Sequence, residues 1–326
     1  MPALPKILII GANGQLGSEL TTALAEKYGA KQVITSDIAP AKTTTGLKHV
    51  ILDVTDADAL RRVTSENAVT QIYHLAAALS ATGEKKPLWA WNLNMSSLLN
   101  VLELARELNL RIFWPSSIAV FGATTPTDHT PQKTIIEPET VYGISKQAGE
   151  GWCRWYHETH GVDVRSLRYP GLISYKTPPG GGTTDYAIDI FRAAVNDETY
   201  SCFLDANETL PMMFMADAVR ATIELMEAPE ESITERGSYN VAGVSFSPAE
   251  IAAEIARQSP GFRITYAPDY RQAIAAAWPA SLDDSQAGKD WGWRAQYGLS
   301  QLVSEMLAGM KRQTPAVSAP RAANGG

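Results

Sequence analysis

Short β-branched and aliphatic runs alternate with longer stretches of helical period through the first half of the chain. Residues 6–10, 32–36, 47–52, 71–75, 111–114 and 164–168 read as strands, with residues 14–28, 57–66, 89–109 and 141–160 as helices between them. Strand–helix alternation at this spacing predicts a parallel sheet covered on both faces. Right-handed crossovers then make it doubly wound, an α/β architecture. After Arg168 the regularity breaks. Residues 169–185 hold three prolines and four glycines, which predicts a functional loop rather than an element. Helical spacing returns at 186–196, 215–227, 247–259 and 300–311. The expected organisation is a nucleotide-binding-type domain over 1–174, rejoined by 211–243. A smaller, mostly helical substrate-binding region takes 175–210 and 244–312, and a disordered tail begins at 313, its small, polar residues running from Thr314.

Composition narrows this picture. The chain has 326 residues, 45% hydrophobic, enough for one large domain with an appendage. A formal net charge of −7 argues against a nucleic-acid partner. Cys153 and Cys202 form no paired motif, so neither a disulfide framework nor a zinc cluster is expected, and the reducing cytoplasm is the simplest location. No stretch approaches the roughly 20 apolar residues of a membrane span. The apolar run 7–10 after Lys6 is too short for a signal-peptide core and reads as a first strand, leaving no room for a transit peptide.

Gly11, Gly14 and Gly17 follow that first strand and open the first helix. Glycines there let the backbone turn tightly and approach a pyrophosphate, with the helix N-terminus facing the anion. This is the phosphate-binding turn of a Rossmann sheet, although its spacing is GxxGxxG and three glycines can also form a plain turn. Asp37 ends the second predicted strand, where a carboxylate would bind both adenosine ribose hydroxyls and repel a 2′-phosphate, favouring NAD; a solvated strand-end aspartate is the alternative. Asp53 would either meet the adenine edge or cap the following helix.

Tyr142 and Lys146 are four residues apart, on one face of a predicted helix. A phenol near pKa 10 needs a neighbouring ammonium to act as a base at neutral pH. With twelve tyrosines such a pair can arise by chance. Ser116 and Ser117 leave the fifth predicted strand at the ligand-binding edge of the sheet, where a serine would hold a substrate oxygen or merely cap a turn. His157 and His160 lie one helical turn apart without a third ligand and read as a surface face, so no metal is expected.

Taken in order, these residues resemble the extended short-chain dehydrogenase/reductase family. That resemblance puts the catalytic hydroxyl on Ser117, with Phe121 where the family commonly has tyrosine, and matches His74–Leu75–Ala76–Ala77 to a segment packing beside adenosine. Tyr169-Pro-Gly-Leu-Ile-Ser174, Gly180-Gly-Gly-Thr-Thr-Asp-Tyr186, Leu210-Pro-Met-Met213, Trp278-Pro-Ala-Ser-Leu-Asp-Asp284 and Asp290-Trp-Gly-Trp293 are similar to the L-threonine 3-dehydrogenase branch, over about residues 5–310. The resemblance implies metal-free oxidation of the 3-hydroxyl of L-threonine by NAD. Tyr142 would be the base, Lys146 would lower its pKa and bind the nicotinamide ribose, and Ser117 would orient the hydroxyl.

The implied NAD site comprises Gly11, Asn13, Gly14, Gln15, Leu16, Asp37, Asp53, Val54, Leu75, Ala76, Ala77, Asn94, Ser116, Tyr142, Lys146, Tyr169 and Pro170. Ser80, Ser117, Tyr142, Gly182, Thr183, Thr184 and Trp278 would meet the substrate, although a Thr-Thr pair before a helix is also an ordinary N-cap and Trp278 could be plain packing. A homodimer through the two long helices is implied as well. The alternatives are a nucleotide-sugar epimerase or dehydratase, and a catalytically inactive NAD sensor.

Overall fold

The computed structural model describes residues 4–42, 46–178, 180 and 182–313. In chain order the first half contains β1 (Ile7–Ile10), α1 (Gln15–Tyr28), β2 (Val33–Asp37), β3 (Lys48–Ile51), α2 (Ala57–Glu66) and β4 (Gln71–His74). It continues through α3 (Ser80–Lys85), α4 (Pro87–Leu108), β5 (Arg111–Ser117), α5 (Val141–His160) and β6 (Val164–Tyr169). The second half runs β7 (Gly171–Ile173), α6 (Tyr186–Val195), β8 (Thr199–Cys202), β9 (Leu210–Phe214), α7 (Met215–Glu227) and β10 (Tyr239–Asn240). It ends with β11 (Val244–Phe246), α8 (Pro248–Gln258), β12 (Arg263–Tyr266), α9 (Tyr270–Ala276), α10 (Ser285–Trp291) and α11 (Leu299–Gln313).

The large sheet has seven strands in the order β10-β6-β5-β4-β1-β2-β3, each pair parallel. The unbroken apolar run of β1 follows from burial on both faces. Ile7 and Ile9 join a core with α1 and α7, whereas Leu8 and Ile10 join one with α2, α4 and α5. β1 pairs with β2 on one side and β4 on the other, so the strand order reverses there and opens a crevice at the strands' C-terminal ends. A third core, built from α6, α8, α11 and the smaller sheets, abuts Ile118–Phe121.

The periodicity misplaced a few boundaries. Gln32 ends a short 3₁₀ turn, Ala30–Gln32, and β2 begins at Val33 and includes Asp37. β5 continues to Ser117. The expected loop at 169–185 contains β7, only three residues long and too short to show a period. β7 pairs with β9, which also pairs with β11, and β8 pairs with β12, so two small sheets accompany the helices of the second half. α3 was missed because Ser-Ala-Thr-Gly-Glu-Lys has no apolar stripe. α11 includes Gln313, one residue past the expected tail boundary, and the tail expected from Thr314 lies outside the described residues. Among the described residues no helix is long and apolar enough to cross a membrane.

Candidate active site

At the end of β1 the chain turns through Gly11, whose φ of +82° suits glycine and whose added Cβ would stand 2.7 Å from the Ala76 nitrogen. Gly14 occupies the cap position of α1 and brings no side chain to its N-terminal N–H groups, which leaves them for an external anion. The Gln15 side-chain amide nitrogen is buried without a protein partner beside this turn. Asp37 accepts from the Asn13 N–H at 3.1 Å and the Ala39 N–H at 3.3 Å, at the tip of β2. A bare glycine floor, an unpartnered buried amide and an acidic strand end fit a dinucleotide.

Other expected cofactor residues also make structural contacts. The Asn13 amide donates to the Ala39 and Pro40 carbonyls and fixes the exit from β2. Asp53 is exposed and accepts from the Thr55 N–H and hydroxyl at 2.9 and 2.7 Å, closing a local turn. Val54 belongs to the core. The Asn94 side chain bonds both backbone groups of Ala78 and the Ser145 hydroxyl, tying the segment after β4 to α4 and α5.

On the other side of the crevice, Ser117 ends β5 and Tyr142 opens α5. Thr140 caps that helix, accepting from the Gly143 N–H at 3.0 Å. A Cβ on Gly143 would come 2.1 Å from the Ala119 carbonyl oxygen, so only a glycine lets α5 seat directly on the turn after Ser117. Ser117 accepts from the Ala119 N–H at 3.2 Å and lines the same cavity as the Tyr142 phenol. Burial pushes that phenol up to about 12, and the nearby Ser117 hydroxyl opposes the rise. The Lys146 Nζ donates to the Pro115 carbonyl at 2.5 Å and lies 4.5 Å from the Trp114 ring and 5.4 Å from the Tyr142 ring. Burial brings this ammonium down to about 7, with the Cys153 sulfur and Glu150 carboxylate acting the other way. The lysine thus stands beside the phenol while the net shift of the phenol is upward, because desolvation outweighs its neighbours.

His74 turns into the core, bonding Ser97 at 3.0 Å, and burial with the nearby Lys146 charge holds it near 3, in its neutral form.

Between the glycine turn and α5 lies a cavity of about 300 Å³. Of the expected residues, Gly11, Gly14, Gln15, Leu16, Leu75, Ala77, Ser80, Ser116, Ser117, Tyr142, Lys146, Tyr169, Pro170, Gly182, Thr183, Thr184 and Trp278 line it. Asn13, Asp37, Asp53, Val54, Ala76 and Asn94 do not. The Tyr169 hydroxyl points away from the cavity to Thr222, and the Ser116 hydroxyl bonds Glu150 at 2.6 Å. Leu79, Ile118, Leu172 and Asp185 also line the cavity and were not anticipated. Asp185 precedes α6, where its position reads in sequence as a helix cap; its carboxylate accepts from the Gly182 N–H at 2.6 Å. That bond engages the N–H of Gly182, a residue expected to meet the substrate. The loop bearing these residues is tied to α1 through Lys176–Glu19 at 3.2 Å and Ser18–Thr177 at 3.1 Å.

Among the described residues no cluster of histidine, cysteine or carboxylate is arranged to hold a metal. His157 bonds the Val162 carbonyl, and His160 packs edge-on against Trp155.

The protein is similar to a GalE-like L-threonine dehydrogenase from Cupriavidus necator, solved in a holo form. The two are 68% identical with a TM-score of 0.93, covering 94% of this chain and 100% of that one. A monomeric L-threonine 3-dehydrogenase of metagenomic origin is 46% identical, TM-score 0.91, covering 94% of this chain and 99% of its own. An uncharacterized epimerase/dehydratase of Staphylococcus saprophyticus is 45% identical over 308 residues, 93% of this chain and 96% of the relative. The model of the NAD dependent epimerase/dehydratase family matches residues 7–242, which span the glycine turn, both serines and the Tyr142–Lys146 pair. The chain belongs to that family, the extended short-chain dehydrogenase/reductase group anticipated from its motifs.

Proposed function

We propose that the protein oxidises the 3-hydroxyl of L-threonine to 2-amino-3-oxobutanoate with NAD. The observation that carries this reading is the small cavity lined together by Ser117, Tyr142, Thr183, Thr184 and Asp185. The strong likeness to threonine dehydrogenases over nearly the whole chain supports it. Gly11, Gly14, Gln15 and Leu16 would hold the pyrophosphate side of NAD, Asp37 its adenosine ribose, and Lys146 the nicotinamide ribose. Bound NAD would supply the two-electron acceptor for the C3 hydrogen.

Ser117 orients the substrate hydroxyl, and Tyr142 takes its proton. A phenol near 12 is a reluctant base, so the Lys146 ammonium and the Ser117 hydroxyl serve to stabilise its ionised form. Ser80 and Thr184 offer hydroxyls to the substrate carboxylate, and the Asp185 carboxylate suits its ammonium. Trp278, 9% exposed, closes the apolar side of the cavity.

Initial rates of NADH formation with L-threonine test the reading. NAD-preferring turnover is expected; no turnover with threonine, together with conversion of a UDP-sugar, would replace it by epimerase chemistry.

We further propose the two-part organisation, with residues 1–174 and 211–243 around the cofactor crevice and the remainder around the substrate. A homodimer forms through α4 and α5, which expose Leu88 at 80%, Trp89 at 51%, Trp155 at 45% and Ile144 at 44%. Sedimentation of the parent and of Trp155→Glu checks this; a parent that sediments as a monomer discards it.

A further inference from the structure

Behind Ser117 and Lys146 lies a buried ion pair that the proposed reaction does not use. Glu150 stands one turn beyond Lys146 on α5, 6% exposed. Its Oε1 accepts from the Ser116 hydroxyl at 2.6 Å and from Arg168 Nε at 2.8 Å, and its Oε2 accepts from Arg168 Nη2 at 2.7 Å. Arg168 is the register partner of Ser116 across β5 and β6, and its remaining bonds go to the Gln132 carbonyl and Asn240 Oδ1, both at 3.0 Å. Ser116 lines the active-site cavity, whereas Glu150 and Arg168 line a second, polar cavity of about 340 Å³. The Ser116–Glu150 bond therefore crosses the wall between the two. A buried ion pair is a weak device for stability, because desolvation consumes most of its attraction. Its position calls for another role.

We infer that Glu150 is a positioning residue of the active site: it fixes the Ser116–Ser117 end of β5 from behind and supplies a negative charge that favours the ammonium form of Lys146. The inference rests on the proposed roles of Ser117 and Lys146. Lys146 sits under apolar cover, against the Trp114 ring. The ionisable groups around it come from several elements. Tyr142, Glu150 and Cys153 share α5; burial pushes both the phenol and the thiol up, so both are neutral at ordinary pH. From β4 comes neutral His74, and from β6 comes Arg168, bonded to Glu150. Glu84 of α3 accepts from the Val141 N–H at the start of α5, and Glu103 of α4 bonds Tyr156 near its far end. Glu150 is the carboxylate in this set that acts on Lys146.

Removing that charge makes the ammonium harder to keep. The test follows NAD affinity against pH by fluorescence titration, with kcat for L-threonine measured in parallel, for the parent, Glu150→Gln and Glu150→Asp. In the parent, NAD affinity begins to fall as pH rises through about 7, where Lys146 loses its proton. In Glu150→Gln this break is displaced downward by about one pH unit, a roughly tenfold loss of affinity on the alkaline side, and Glu150→Asp restores most of it. An unchanged break in Glu150→Gln, with kcat lowered equally at every pH, shows a merely structural residue and overturns the inference.

If Glu150→Gln does not fold, Glu150→Gln/Arg168→Gln is compared with Arg168→Gln, so that the Glu150 charge is the one difference between them: a break about one pH unit lower in the double variant supports the role, and equal breaks overturn it. NAD binding needs no threonine. A parent that binds NAD but does not oxidise threonine thus fails the proposed reaction while the displaced break still decides the role of Glu150.

Discussion

The two edges of the large sheet use charge in opposite ways. At the N-terminal edge of β5 and β6, Asp163 accepts four N–H bonds, from Arg111 at 2.5 Å, Arg165 at 2.9 and 3.0 Å, and Arg236 at 2.9 Å. Arg165, fully buried, also donates to the Leu225 and Ala228 carbonyls at the end of α7, both at 2.7 Å. Burial alone would raise the Asp163 carboxyl, but Arg165 and Arg111 overcome it and hold the group at about 2. The Asp163 charge is thus kept by its neighbours. At the C-terminal edge, burial drives Lys146 down to about 7 and Tyr142 up to about 12, toward their neutral forms. One edge uses its charges to lock helix and strand together. The other holds groups whose protonation can change during a reaction.

The largest effect expected from breaking this contrast is at the reactive edge. Tyr142→Phe should lower NADH formation by about 10²–10⁴-fold, with the melting temperature nearly unchanged. Rates and a thermal melt on one sample check both halves, and a large fall in melting temperature would place the tyrosine in the stabilising class. The mirror experiment is Asp163→Asn, which leaves three guanidiniums around a neutral amide. It should cost about 3–5 kcal/mol in urea unfolding while the folded fraction keeps near-parent kcat.

Gly143→Ala probes how precisely the reactive edge is built. The new methyl would meet the Ala119 carbonyl and move α5 away from Ser117, lowering kcat by about 10–100-fold with about 1–3 kcal/mol of lost stability. An unaffected kcat would show that the Ser117–Tyr142 geometry does not depend on that contact.

The smallest effect is a pH dependence of the stabilising edge. The folded pKa of Asp163, about 2, lies below the ordinary unfolded value near 4, so its contribution is complete above pH 4 and fades as pH falls toward 2. Unfolding free energies between pH 5 and 2 should drop by about 2 kcal/mol more in the parent than in Asp163→Asn. Parallel curves would mean the arginine cluster acts through packing alone.

Much of this architecture is legible in sequence because the relevant signals are local. The apolar run of β1, the glycines after it and the helical spacing of α4 and α5 each identify an element without reference to the rest. Ser117, Tyr142 and Lys146 stand out because motif order carries them, and they line one cavity. The remaining features depend on tertiary partners. β7 shows only Gly-Leu-Ile, and its strand character exists through pairing with β9. Glu150, between two glycines on a helix, looks like a solvated residue until Arg168 and Ser116 fold against it. Asp185 looks like a cap until its loop is laid over the crevice. Asn94 and Asp53 show the converse: residues of the right type, near the right place, whose polar atoms also bond neighbouring backbone and hydroxyl groups that the sequence does not show.

The return of the chain to the large sheet at β10 limits how this molecule can be cut and recombined. A fragment ending near residue 174 would lose α7 and leave β6 as a bare edge, its backbone groups open to another chain. On the proposed two-part organisation, the substrate-side segments 175–210 and 244–312 lie on either side of that return in the chain. Exchanging them for those of a relative therefore requires three matched junctions, and a single crossover near the middle of the gene would pair β6 and β10 from different parents.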